Sequence, residues 1–424
     1  MYPSIRSPEP SGEQPAIRPR SFLGIGRNVL AIGMTSLVTD VSSEMVNAVI
    51  PLYLVFQLHM SPLAFGVFNG AFLGIAGVVR ITSGVVSDRR RDYKVVGGAG
   101  YAVSAAAKVG LIAAGTAAVP ASAAVFVDRA GKGLRTSPRD ALISLSAPAH
   151  RLAEAFGVHR ALDTTGALLG PLVAYLILDR RPHDYEAVFV ISLLVAIVGL
   201  GVWVCFVQNR APAADDDGAR LTRARAMRLL RDPGFRRLVV VGGLLGVATI
   251  GDAFVYLVLQ RRSDFSTAYF PLLYVGTAST YLLFAVPLGR LADRVGRARV
   301  FLGGYGVLGV VYLLLLPATV GPAVVLLALA LNGVFYAATD GVLMAMASTA
   351  TPSGLRTTGI AVLTTVSALT AFVASTGFGA WWDAHGPTAA VQLFVAMLAV
   401  AGLASAFLLR PRTAHETTPD ARVP

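Results

Sequence analysis

Ionisable side chains recur inside stretches of this 424-residue chain that are otherwise apolar. Asp40 and Glu44 stand four apart and so share one helical face. Arg80 and Lys108 follow, then Asp128, Arg129, Lys132 and Arg135, then His159, Arg160 and Asp163; beyond these come only Asp252 and Asp340. A charge at the middle of a bilayer costs about 2.5–3.5 kcal/mol on insertion scales, so each must face a wet cavity or a partner. A carboxylate that alternates between dry surroundings and a neighbouring Arg binds and releases a proton. Asp40 and Glu44 are therefore the first candidates for proton coupling, since their own stretch offers no basic partner, and Asp163 is the next. Asp128, Arg129, Arg160 and Asp163 can also be read as a fixed ion-pair network. Arg80, Asp128, Arg129, Lys132, Arg160, Asp252 and Asp340, with Tyr256 and Tyr336, are the candidates for lining a substrate cavity. His159 reads as a packing residue. The sparser second half suggests that coupling belongs to the first half and pocket shape to the second.

The elements that must position these residues are membrane spans. Hydrophobic residues make up 55% of the chain and charged residues 14%, with a mean hydropathy of +0.65; a water-soluble surface needs about a quarter charged residues. A span takes about 20 residues, and the apolar runs number twelve: 28–56, 62–86, 95–118, 121–146, 152–178 and 186–207, then 238–260, 266–289, 298–317, 321–349, 356–383 and 388–409. Ser61-Pro62, Pro120, Arg181-Pro182, Gly321-Pro322 and Gly386-Pro387 mark turns between them. The organisation predicted is a tail over 1–27, a six-helix bundle over 28–207, a linker over 208–237, a second bundle over 238–410 and a tail over 411–424. Within the linker, Arg220, Arg223, Arg225 and Arg228 with Leu221, Met227, Leu229 and Leu230 suit either a surface amphipathic helix or a solvated connection.

The net charge of +12 comes from short Arg clusters between apolar runs, which fits positive-inside loops better than a nucleic-acid surface. Arg89, Arg90, Arg91, Lys94, Arg294, Arg297 and Arg299 fall on one side; Arg180, Arg181, Arg261 and Arg262 are the basic residues of the other. This places both termini in the cytoplasm. A single cysteine, Cys205, excludes an intramolecular disulfide and a Cys-based zinc site. No nucleophile elbow, His-Glu-x-x-His pair or nucleotide-binding loop is present, so the expectation is no enzyme, no metal and no cofactor. Only three of the basic residues are Lys, which points to a GC-rich bacterial genome and hence to a bacterial inner membrane.

The halves repeat. Tyr53-Leu54-Val55-Phe56-Gln57 is matched by Tyr256-Leu257-Val258-Leu259-Gln260, and Gly84-Val85-Val86-Ser87-Asp88-Arg89 by Gly289-Arg290-Leu291-Ala292-Asp293-Arg294, at offsets of 203 and 205 residues. Two six-span halves related by an axis along the membrane normal frame a central site that is rocked between faces.

Gly289-Arg290-Leu291-Ala292-Asp293-Arg294-Val295-Gly296-Arg297-Ala298-Arg299 resembles the signature loop of the major facilitator superfamily nearly position for position. The first copy keeps Gly84, Asp88, Arg89 and Lys94 but has Arg91 where the pattern has Gly and Asp92 where it has a basic residue. The resemblance implies a latch at the cytoplasmic ends that holds when the cavity opens outward. Arg129, Lys132 and Gly133 resemble the fourth-span motif of proton-coupled facilitators, with Lys in place of Gln. Gly166-Ala167-Leu168-Leu169-Gly170-Pro171 is similar to the fifth-span motif of antiporters, with Ala174 and Tyr175 where a later Gly pair is expected. The resemblance implies an all-α protein of twelve transmembrane helices in two pseudo-symmetric bundles. It further implies alternating access and proton-coupled export of a drug-like compound or metabolite, by a monomer. Proton-coupled uptake of a small anionic solute, and a non-transporting sensor of the same fold, are the alternatives.

Overall fold

The computed structural model describes residues 26–148, 151–210, 231–351 and 356–410. The expected surface segment over 220–230 lies outside the described residues, as do residues 1–25 and 411–424 of the tails. The described residues are helical, with no strand among them. In chain order the helices are α1 (Arg27–Leu52), which runs on into a π-helical turn at Tyr53–Gln57, α2 (Pro62–Arg90), α3 (Tyr93–Ala114), α4 (Ala118–Ser146), α5 (Leu152–Arg180) and α6 (Tyr185–Phe206). The second half holds α7 (Pro233–Val247), α8 (Asp252–Arg262), α9 (Phe270–Val295), α10 (Arg297–Leu314), α11 (Pro322–Ala350), α12 (Arg356–His385) and α13 (Pro387–Leu408).

Local sequence sets where these helices begin. The Ser61 hydroxyl accepts from the Ala64 N–H at 3.2 Å, with Pro62 in the first turn. Asp92, Asp184 and Asp232 cap α3, α6 and α7 in the same way, each accepting a backbone N–H at 2.8–3.1 Å. Such caps satisfy donors that the first helical turn leaves open. Pro233, Pro322 and Pro387 occupy first turns, where a missing N–H does no harm.

Among the described residues, eleven segments are long and apolar enough to cross a membrane, with α7 and α8 forming one crossing, Pro233–Arg262. The helix that fails this criterion is α4, through its charges rather than its 29-residue length. It nevertheless runs the full depth, because α3 ends where α4 begins and α5 starts at the opposite end. Glycines wedge it between neighbours. A Cβ on Gly133 would lie 2.6 Å from the Ala76 carbonyl of α2, and one on Gly131 would lie 2.6 Å from Ser104 Oγ of α3. This heavily charged helix is thus kept inside the first bundle.

The seventh span, expected to be continuous over 238–260, is broken between Val247 and Asp252. Tyr312 of α10 repairs the break: its hydroxyl accepts from Ile250 N–H at 2.6 Å and donates to the Ala248 carbonyl at 3.1 Å. An apolar pattern cannot reveal such a break, since the hydrogen bonds that compensate it come from a distant helix.

The two halves meet at the end opposite residues 27 and 408, here termed the distal end. Gly66 and Gly70 of α2 pack on α12, where a Cβ on Gly70 would fall 2.8 Å from Phe372 Cα, and Asn69 Nδ2 donates to Ser375 Oγ at 3.0 Å. Phe65 meets Phe254 edge-on at 5.1 Å, and Tyr175 stacks on Tyr269 at 5.5 Å between α5 and the start of the eighth crossing. Toward the terminal end, positions Gly77, Gly289 and Gly341 have no described atom within 4 Å of an added Cβ. The described contacts between the halves thus gather distally.

Candidate functional site

On α1, Asp40, Glu44 and Asn47 stand one turn apart, and on the facing α4 so do Arg135, Lys132 and Arg129. The helices run antiparallel, so these residues zip together. Arg135 Nη2 donates to Asp40 Oδ1 at 3.2 Å, Lys132 Nζ to Glu44 Oε1 at 3.1 Å, and Arg129 Nη2 to Asn47 Oδ1 at 2.6 Å. The first rung is buried, with side chains 3% and 7% exposed, and the second is partly open at 32% and 24%. Arg129 also stacks its guanidinium over Phe72 at 4.3 Å and lies 3.6 Å from Asp128. Asp128 is tied mainly to α3, through Lys108 Nζ at 3.0 Å. The network expected between spans four and five is accordingly split, half of it facing α3.

The join to α5 runs through Arg139 and Asp140, which are not among the candidates read from the sequence. Arg139 Nη1 donates to Asp163 at 3.3 Å and its Nη2 to the neighbouring Asp140 at 3.0 Å, while Arg80 of α2 reaches Asp140 at 3.3 Å. The signal was present: Lys132, Arg135 and Arg139 recur at three- and four-residue intervals and continue one face of α4. Arg160 approaches Asp163 only to 3.8 Å and is 81% exposed. His159 is buried and bonded to Ser36 of α1 at 2.9 Å, as a packing residue should be.

Beside the ladder lies a cavity of about 820 Å³, lined by Asp40, Phe72, Arg80, Arg129, Lys132, Arg139, Asp140, His159, Arg160 and Asp163 among others. Glu44 and Asp128 are not in its lining, although each is paired with a cation that is. In the second half, Asp252 opens α8 just past the helix break and accepts from Asn332 Nδ2 at 3.0 Å and Tyr336 OH at 2.9 Å. Asp340 is exposed on α11. Tyr256, expected in the cavity lining, is 1% exposed in the apolar core and donates to Thr277 at 2.8 Å. Trp382 is likewise buried against Phe254 and Phe378.

The repeated loops differ from expectation in physical detail. Gly289 faces open space and Gly84 has only Ser137 within reach of an added Cβ, so neither mediates close packing in this state. Asp293 pairs within its own loop with Arg297 at 2.9 Å, both exposed or nearly so; Arg294 lies one residue on. The Asp88 side chain lies outside the described residues, and Arg89 is exposed at the end of α2. Gly296 has φ +111°, and its first-half counterpart Arg91 takes the left-handed region at φ +53°, so both copies turn with positive φ though by different geometries. Gly166 and Gly170 do act as close-packing positions. A Cβ on Gly170 would lie 2.7 Å from the Val41 carbonyl, and one on Gly166 would strike the Leu37 carbonyl. Pro171 follows within α5 and Ala174 is fully buried. This stripe brings α5 onto the helix that carries Asp40 and Glu44.

A sequence profile described as Major Facilitator Superfamily matches residues 32–280 and 265–423. The chain belongs to that superfamily. It is 28% identical over 368 residues to an uncharacterised MFS-type transporter of Methanocaldococcus jannaschii, covering 84% of this chain and 89% of that one. An uncharacterised protein of Mycobacterium tuberculosis is 28% identical over 289 residues, 65% of this chain and 68% of that one. Among solved structures, the nucleoside transporter NupG superposes with a TM-score of 0.79 at 14% identity, over 90% of this chain and all of that one. A POT family transporter superposes at 0.76 and 14% identity, over 92% and 98%. A bacterial homologue of the human lysosomal transporter Spinster, in an inward-facing and occupied conformation, reaches 0.71 at 13% identity, over 90% and 96%. As a major facilitator the chain is a multi-pass membrane transporter of the secondary kind, all-helical, with the two-bundle fold.

Proposed function

We propose that this major facilitator exports a small organic molecule across the bacterial plasma membrane in exchange for protons, as a monomer with both termini in the cytoplasm. In that orientation the polar cavity lies toward the cytoplasmic side, where a solute would load. Proton binding is assigned to the carboxylates of the ladder, Asp40 and Glu44, and to Asp163 at the junction with α5. The observation carrying the reading is the ladder itself: ionisable rungs within the bilayer span, one buried and one partly open, beside a polar cavity. A proton arriving on a rung carboxylate breaks an ion pair and frees a cation, which changes how tightly α1 is held to α4. That exchange of partners is a means of coupling protonation to rocking of the bundles. The latch residues Asp88 and Asp293, with their following arginines, would then engage when the terminal end closes.

The test uses inverted vesicles holding a proton gradient that a pH-sensitive dye reports. A panel of cationic, neutral and anionic organic compounds is added, with Asp40→Asn vesicles as the control. Collapse of the gradient by one chemical class, absent in the variant, is expected. A gradient untouched by every compound, or collapsed equally in the variant, rejects proton-coupled export through Asp40.

A further inference from the structure

Around the cavity the cations outnumber the carboxylates. Its lining holds Arg80, Arg129, Lys132, Arg139 and Arg160 against Asp40, Asp140 and Asp163. Counting their ion-pair partners outside the lining adds Arg135 and Lys108 on one side and Glu44 and Asp128 on the other. That makes seven cations for five carboxylates, an excess of two. The deficit appears as sharing: Asp128 serves both Lys108 and Arg129, Asp140 both Arg80 and Arg139, and Asp163 both Arg139 and Arg160.

Arg129 bears the shortfall most directly. Its side chain is 8% exposed, its carboxylate contact is a long 3.6 Å to a group already bonded to Lys108, and its Nε is buried without any hydrogen-bond partner. A desolvated guanidinium N–H aimed at no acceptor is costly to leave unmade. Across the molecule, Asp252 is held by the neutral donors Asn332 and Tyr336, and neither it nor Asp340 forms an ion pair among the described residues, so the second half does not discharge the surplus.

We infer that the first-half wall is an oxyanion site, and that the transported solute carries a carboxylate, sulfate or phosphate group that docks on Arg129 and Lys132 within the field of Arg160. Naming that anion as the solute rests on the transporter reading; its binding does not, and is measured without a gradient.

The probe is sulfate, titrated against chloride at constant ionic strength, with the melting midpoint of the full-length protein read in neutral detergent and in phosphatidylcholine nanodiscs. Saturable stabilisation by sulfate is expected. Arg160→Gln, at an exposed position, should weaken apparent affinity about two- to fivefold, and Arg129→Gln about tenfold or more. Should Arg129→Gln fail to fold, Lys132→Gln, on a partly open side chain, takes its place with a loss of severalfold or more. Equal midpoints in sulfate and chloride overturn the inference, as does sulfate binding that survives in both Arg160→Gln and Lys132→Gln. Phosphatidylglycerol nanodiscs distinguish a lipid occupant. Stabilisation by that lipid which sulfate cannot displace would assign the site to a headgroup and also overturn the solute reading.

Discussion

Asp40 and Arg135 form a buried pair whose removal from either side leaves an uncompensated charge, an effect of about 3–5 kcal/mol. Stability and coupling can be separated at this rung. Asp40→Asn is expected to lower the melting midpoint and abolish proton-driven transport. The double variant Asp40→Asn/Arg135→Gln should regain most of the stability and none of the coupling. Recovery of both would reduce Asp40 to a structural role. A second residue-scale outcome concerns Arg91, which occupies the left-handed backbone region at the end of α2. A side chain there costs about 1–2 kcal/mol, offset in part by the greater freedom of glycine in the unfolded chain. Arg91→Gly should therefore stabilise the protein by about 0.5–1 kcal/mol in thermal unfolding. Destabilisation would mean that the Arg91 side chain contributes more than its backbone loses.

At the scale of elements, the ladder depends on how closely α1 is pressed by α4 and α5. Gly170 is the tightest test, since its Cβ would meet the Val41 carbonyl, Glu44 Cβ and Met45 N–H within 3 Å. Gly170→Leu should cost about 1–3 kcal/mol through overpacking and shift the Glu44–Lys132 rung. On the same helix, a Cβ on Gly157 meets nothing within 4 Å; Gly157→Ala should be neutral or slightly stabilising by helix propensity. Equal effects at the two positions, read as melting midpoints, would contradict the close-packing role. The small-x-x-x-small spacing of Gly166 and Gly170 was legible in the sequence. Which helix lay against it was not, because a small-residue stripe specifies close approach without specifying a partner.

For the molecule as a whole, the state captured packs the two halves together distally, and alternating access requires that packing to part. The distal contact is built from Gly66, Gly70 and Gly379 with the Asn69–Ser375 hydrogen bond. Asn69→Cys/Ser375→Cys, introduced with Cys205→Ser to remove the native thiol, should form a disulfide that arrests transport until reduced. Undiminished transport by the oxidised protein would mean that α2 and α12 need not part. The composition, the twelve apolar runs, the half-chain repeats and the signature loop by themselves determined a major facilitator with two bundles, because bilayer thickness and backbone hydrogen bonding leave a hydrophobic chain few ways to fold. They also picked out most of the charged residues that the ladder and cavity bring together, since a charge in a span must be accounted for. Tertiary structure alone decided the partners: Arg135 for Asp40, Lys132 for Glu44, Lys108 for Asp128, Arg139 for Asp163. It alone revealed the break before Asp252 and the burial of Tyr256 and Trp382. Side-chain type sets what a residue needs, whereas helix register, crossing distance and glycine placement set which of several equivalent partners is near enough to supply it.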